Sequence, residues 1–70
     1  MDNRMGGLRN LRHEKMLTQQ DLAARAGLTI TTISGIETGK FNPSFRTIRA
    51  LAKALGYSPQ ELKRLLGNNV

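Results

Sequence analysis

Thr18 and Thr29 are both residues that start helices, and Gly27 lies just ahead of the second. Thr18-x-x-Asp21 reads as a capping box, in which hydroxyl and carboxylate satisfy the orphan amides at the beginning of a helix, so a helix is expected from Gln19. It runs through Leu22, Ala23 and Ala26 to Gly27, a residue that takes the left-handed conformation needed to stop one helix and turn sharply into another. Leu28 plugs the turn. Thr29 then caps a third helix over Ile30 to Glu37, with Gly39 placed to end it. A chain allowed only Ala26-Gly27-Leu28-Thr29 to change direction packs two short helices at a steep angle, and the remaining sequence has to close a core around that corner.

The flanking sequence supplies the other helices. A first is expected from about Arg4 to Met16, with Leu8 and Leu11 sharing a face and Gly6 and Gly7 weakening its first turn. After a loop from Lys40 to Pro43, Ser44 caps a fourth helix that carries Ile48, Leu51, Ala52 and Leu55 at i, i+3, i+4 and i+7 and stops at Gly56. Ser58-Pro59-Gln60-Glu61 is a second capping box with proline at the first helical position, opening a fifth helix that ends near Leu66. Residues 1–7 then form a lead-in, 8–66 the folded domain with its helix-turn-helix unit at 19–38, and 67–70 a frayed tail. Seventy residues hold one core. With Phe41, Phe45 and Tyr57 as the only aromatics, that core is built mainly from Leu, Ile and Ala, as helix-on-helix packing prefers. The predicted class is all-α, a compact five-helix domain.

Charge and residue inventory narrow the function. Eleven Lys and Arg against five Asp and Glu give a net charge of +6 and a pI near 10.9, which makes a polyanion the natural partner. No cysteine is present, so there is neither a disulfide frame nor a cysteine-based zinc site. No apolar run approaches the roughly 20 residues of a membrane span, and a cytoplasmic protein is expected. His13, the only histidine, has no carboxylate or second histidine at ligand spacing, so it reads as a surface residue; no metal, cofactor or catalytic group is expected.

On a wheel at about 100° per residue, Ile33 and Ile36 of the third helix share one side while Ile30, Thr31, Ser34 and Gly35 cover the other. A merely solvated helix face normally carries Lys and Glu. This one is uncharged, which marks it as a docking face.

The ordered set Leu17-Thr18-Gln19-Gln20-Asp21-Leu22-Ala23, Ala26-Gly27-Leu28-Thr29, Thr32-Ile33-Ser34, Ile36-Glu37 and Gly39 resembles the Cro/C1-type (XRE-like) helix-turn-helix domain of bacterial and phage repressors, a lambda-repressor-like fold. Leu51-Ala52-Lys53-Ala54-Leu55-Gly56, Ser58 and Glu61-Leu62 resemble the closing helices of the same family, so the likeness runs from about Leu8 to Leu66. The resemblance implies sequence-specific binding of double-stranded DNA by a transcriptional regulator, a repressor by preference, with the third helix in the major groove and a homodimer at least on DNA. Carried over residue by residue, it assigns phosphate contacts to Gln19, Thr29 and Thr32 and, along the second edge, to Lys40, Asn42, Ser44 and Arg46. It also pairs Arg12 with Glu37 as a structural ion pair beneath the third helix. Thr29 serves equally as a plain N-cap, and the cations of Arg9, Arg25, Arg49, Lys53, Lys63 and Arg64 are left as general positive surface.

The base-reading face departs from the family pattern, because Ile30, Thr31 and Gly35 stand where Arg, Gln, Asn or Lys are usual. Without the strong bidentate contacts to guanine or adenine, worth roughly 1 to 3 kcal/mol each, readout is expected to lean on thymine methyls against Ile30 and Thr31, on Ser34 as an adaptable hydrogen-bonder, on close approach at Gly35, and on DNA shape. The alternative is a protein-interaction module, an antitoxin or adaptor, using the same fold. Salt separates the two, since phosphate contacts make affinity fall steeply with salt.

Overall fold

The computed structural model describes residues 3–40 and 42–66. Among them lie five helices and no strand: α1 (Asn3–Glu14), α2 (Gln19–Ala26), α3 (Ile30–Glu37), α4 (Phe45–Leu55) and α5 (Pro59–Leu65). The chain is all-α. Each start of α2 to α5 is set by a hydroxyl: Thr18, Thr29, Ser44 and Ser58 lie in extended conformation and accept the amide of the residue three further on. At Thr18 the box is reciprocal, with the Thr18 amide donating to Asp21 Oδ2 at 3.0 Å. At Ser58 only half of the expected box forms: Ser58 Oγ accepts the Glu61 amide at 3.1 Å, while the Glu61 side chain stays exposed.

The ends of α1 to α4 share a left-handed residue. After α3 the Lys40 amide reaches back to the Gly35 carbonyl at 2.8 Å and Gly39 N donates to Ile36 O at 3.1 Å, the paired bonds of a Schellman turn with Gly39 at φ 76°. Gly27 (φ 70°) and Gly56 (φ 87°) close α2 and α4 in the same left-handed conformation. The expectation for α1 is met at its start to within one residue and needs correction at its end. It begins at Asn3 and stops at Glu14, because Met16 itself turns left-handed at φ 58°. Leu17 N then donates to Arg12 O at 3.1 Å and Met16 N to His13 O at 2.9 Å, the same Schellman pair without a glycine. The tail Gly67 to Val70, Met1 to Asp2 and Phe41 within the expected loop lie outside the described residues.

One cluster holds the domain together, with Leu8 and Leu11 from α1, Leu22 and Ala23 from α2, Ile33 and Ile36 from α3, Ile48, Leu51, Ala52 and Leu55 from α4, and Leu62 from α5. Leu17 joins it from the turn before α2. Leu8, Leu22, Ile33, Leu51 and Leu62 are wholly buried, and each contributes on the order of 2 kcal/mol by leaving water. Helix α2 lies at the centre, packed on α3 and α4, while α1 backs α3 and α5 backs α4. The start of α1 meets the end of α5: a Cβ on Gly7 would sit 3.4 Å from Leu65 O and Leu66 Cα. In α5 Leu62 is buried and Leu65 exposed, while Leu66, which follows the helix, packs half-buried on the cluster.

Candidate nucleic-acid interface

Helix α3 is held from below and bare at its start. Beneath it, Arg12 Nε donates to Glu37 Oε2 at 2.7 Å and Arg12 Nη2 to Glu37 Oε1 at 3.0 Å, a two-pronged pair with side chains only 8% and 4% exposed. The remaining prong, Arg12 Nη1, donates to the Leu17 carbonyl at 2.9 Å. Gln19 Nε2 donates to Glu37 Oε1 at 3.1 Å. One carboxylate near the end of α3 thus gathers the end of α1, the turn before α2, and the first residue of α2. Burial pushes the Glu37 carboxyl up, but hydrogen bonds from Arg12 and Gln19 and the nearby cations Arg12 and Arg9 pull it further down, so it stays ionised below the ordinary glutamate range. The Glu37 carboxylate in turn pushes the Arg12 guanidinium up against the effect of burial. Among the described residues, no buried side-chain polar atom lacks a partner.

The outer side of α3 is not quite the face the wheel suggests. Ile30 and Thr31 are exposed, Ser34 is half-buried, and Gly35 is buried. Gly35, expected on this face, is the most covered of the four. At the end of α3 the returning Lys40 amide bonds Gly35 O, and the Thr38 hydroxyl donates to Ser34 O at 2.9 Å and Gly35 O at 3.3 Å. Ile30, Thr31 and the edge of Ser34 are the parts of the expected reading face open to solvent.

Around that surface the remaining site residues fall in two groups. Thr29 and Thr32 hydroxyls lie 3.0 Å apart, and Thr29 Oγ1 also accepts the Thr32 amide at 3.1 Å, so both are engaged in the cap at the start of α3. The first turn of α3 holds no acidic residue. Lys40, Asn42, Ser44 and Arg46 are all exposed along the loop and first turn of α4, where Ser44 Oγ accepts the Thr47 amide at 3.2 Å and bonds Thr47 Oγ1 at 3.0 Å. Phe45 is exposed beside Arg46. Sequence reasoning placed Gln19 at the edge of this surface but missed its bond to Glu37, for which an amide at a helix start gives no local signal. It also missed the left-handed Met16, which carries none of the glycine or asparagine signal that normally marks such a turn.

Comparisons with known proteins agree with this geometry. The Helix-turn-helix family matches residues 8–62, which span α2, α3 and the turn between them. An HTH-type transcriptional regulator of Sinorhizobium fredii is 46% identical over 52 residues, covering 74% of this chain and 68% of that protein. The HTH-type transcriptional regulator DdrOP3 of Deinococcus deserti is 36% identical over 55 residues (79% of this chain, 43% of that protein). The immunity repressor protein of Bacillus phage phi105 is 41% identical over 49 residues (70% of this chain, 34% of that protein). The chain therefore matches about two-thirds of the first relative and less than half of the other two. It belongs to the helix-turn-helix family.

Proposed function

We propose that this chain binds double-stranded DNA sequence-specifically as a transcriptional regulator, acting as a repressor in the cytoplasm by occupying an operator. The observation that carries the reading is the start of α3: Ile30 and Thr31 stand exposed and uncharged on a short helix clamped from behind by the Arg12–Glu37 pair. Such a helix presents a fixed face, and a neutral one fits a groove between phosphates that the surrounding cations neutralise. Ile30 and Thr31 meet thymine methyls there, with Ser34 at the edge, so the preferred site leans to A·T and is helped by DNA shape. Gln19, Thr29, Thr32, Lys40, Asn42, Ser44 and Arg46 take the flanking phosphates, Gln19 by swinging its amide away from Glu37. Two copies placing α3 in successive major grooves about 34 Å apart match a near-palindromic site. On α5 the exposed Leu65 is an apolar side chain open to contact between copies; Leu65→Glu is expected to lower the dimer fraction in sedimentation.

The deciding experiment selects binding sites from random duplexes, then titrates the winner and scrambled DNA across several salt concentrations. An A·T-rich motif bound about a thousandfold over scrambled DNA supports the reading. A G·C-rich motif overturns the proposed readout by Ile30 and Thr31, and absence of DNA binding at low salt overturns the function and leaves protein interaction as the use of this fold.

A further inference from the structure

An open cleft runs between the end of α1 and the starts of α2 and α3, bordered by His13, Met16, Thr18, Gln19, Gln20 and Ile30. Arg12 also lines it, but its guanidinium is committed to Glu37 and the Leu17 carbonyl. His13 is exposed, and its main-chain carbonyl accepts the Met16 amide at 2.9 Å, so the left-handed turn at Met16 fixes the residue on the last turn of α1. A histidine thus edges the same cleft as Gln19 and Ile30.

We propose that His13 is a further DNA-backbone contact whose strength is set by pH. The proposal rests on the reading that α3 enters the major groove. On that reading, the strand flanking the groove that takes Ile30 passes the start of α2, where Gln19 and Gln20 border the same cleft as Ile30. A strand in that place comes within reach of His13. As imidazolium the side chain donates a charge-assisted bond to a phosphate oxygen, and as neutral imidazole it loses the charge that strengthens the bond. Histidine is the side chain whose charge ordinarily changes between about pH 5 and 8.

The surrounding charges favour this use. On α1, Arg9 stands one turn before His13, with Glu14 and Lys15 following it. On α2 the Asp21 carboxylate is held by the Thr18 amide, and on α3 Glu37 is buried against Arg12. Among the described residues, no carboxylate lines the cleft to compete with a phosphate.

The test measures affinity of the full chain for a random-sequence duplex at low salt, at about pH 8 and about pH 5.5, where phosphate contacts dominate. It compares the wild type with His13→Gln and His13→Lys. The wild type is expected to tighten about fivefold on acidification, with the slope of log affinity against log salt steeper by about 0.9, the signature of one added phosphate. His13→Gln loses both changes, and His13→Lys binds at both pH values as the acidified wild type does. A His13→Gln variant that tightens on acidification as much as the wild type overturns the proposal alone. No binding of the wild type at either pH overturns it together with the function on which it rests.

Discussion

The corner that enters α2 and the corner that enters α3 are built to the same plan, yet they do different work. Each has a residue in left-handed conformation, then a leucine turned into the core, then a threonine whose hydroxyl caps the next helix: Met16-Leu17-Thr18 in the first, Gly27-Leu28-Thr29 in the second. The backbone bonds repeat too, Leu17 N to Arg12 O at 3.1 Å and Leu28 N to Ala23 O at 2.9 Å. The first corner, however, uses a methionine where the second uses a glycine, and is tied from outside by Arg12 Nη1 on the Leu17 carbonyl. Its helix opens with an acid, Asp21, whose carboxylate the Thr18 amide and hydroxyl hold below the usual range. The second corner has a hydroxyl, Thr32, at the corresponding place and no acid in the first turn of its helix. A strained corner with an outside tie serves as an anchor. A corner that closes through its own backbone leaves its surface free, and a helix start without a carboxylate does not repel an anion.

The largest test of this contrast removes the tie. Arg12→Ala strips Glu37 of its partner and Leu17 of its donor, and should destabilise the domain by about 3 kcal/mol in chemical denaturation. A loss below about 1 kcal/mol would mean that water already shares the pair and that the first corner stands unaided. The acid limb follows from the same pair. Because folding lowers the Glu37 carboxyl from its ordinary 4.5, the stability it contributes is complete above that value and drains away as pH falls through the folded one. Denaturation midpoints should therefore drop on acidification below about pH 4.5 in the wild type, and drop less in Glu37→Gln.

Smaller effects of opposite sign are expected at the two left-handed residues. Gly27→Ala adds a methyl into open space but into the wrong backbone conformation, and should cost about 1 kcal/mol, or about 4–8 °C in Tm for a domain of this size. Met16→Gly relieves the same conformation at the first corner while loosening the unfolded chain, for a net gain of about 0.5 kcal/mol. If both substitutions destabilise, the methionine is stabilised by packing rather than strained, against its 90% exposure.

Much of the fold was legible because its punctuation is local. A threonine or serine hydroxyl caps an amide three residues away, and a glycine closes a helix through bonds spanning a single turn, so the starts of α2 to α5 and the stops at Gly27, Gly39 and Gly56 lie where sequence alone put them. The stripe Ile48, Leu51, Ala52 and Leu55 was readable for the same reason: burial follows a fixed period once a helix has formed. Of the candidate site, the exposed start of α3 at Ile30 and Thr31 follows from that period as well.

The helices, their caps and the neutral start of α3 are each set by neighbours within about one helical turn, so the order of residues specifies them directly. The closing of the core adds that Gln19 rests on Glu37 and that His13 shares a cleft with Ile30. Those facts depend on which residues distant in sequence are brought together when one small core closes, and no local preference carries that information.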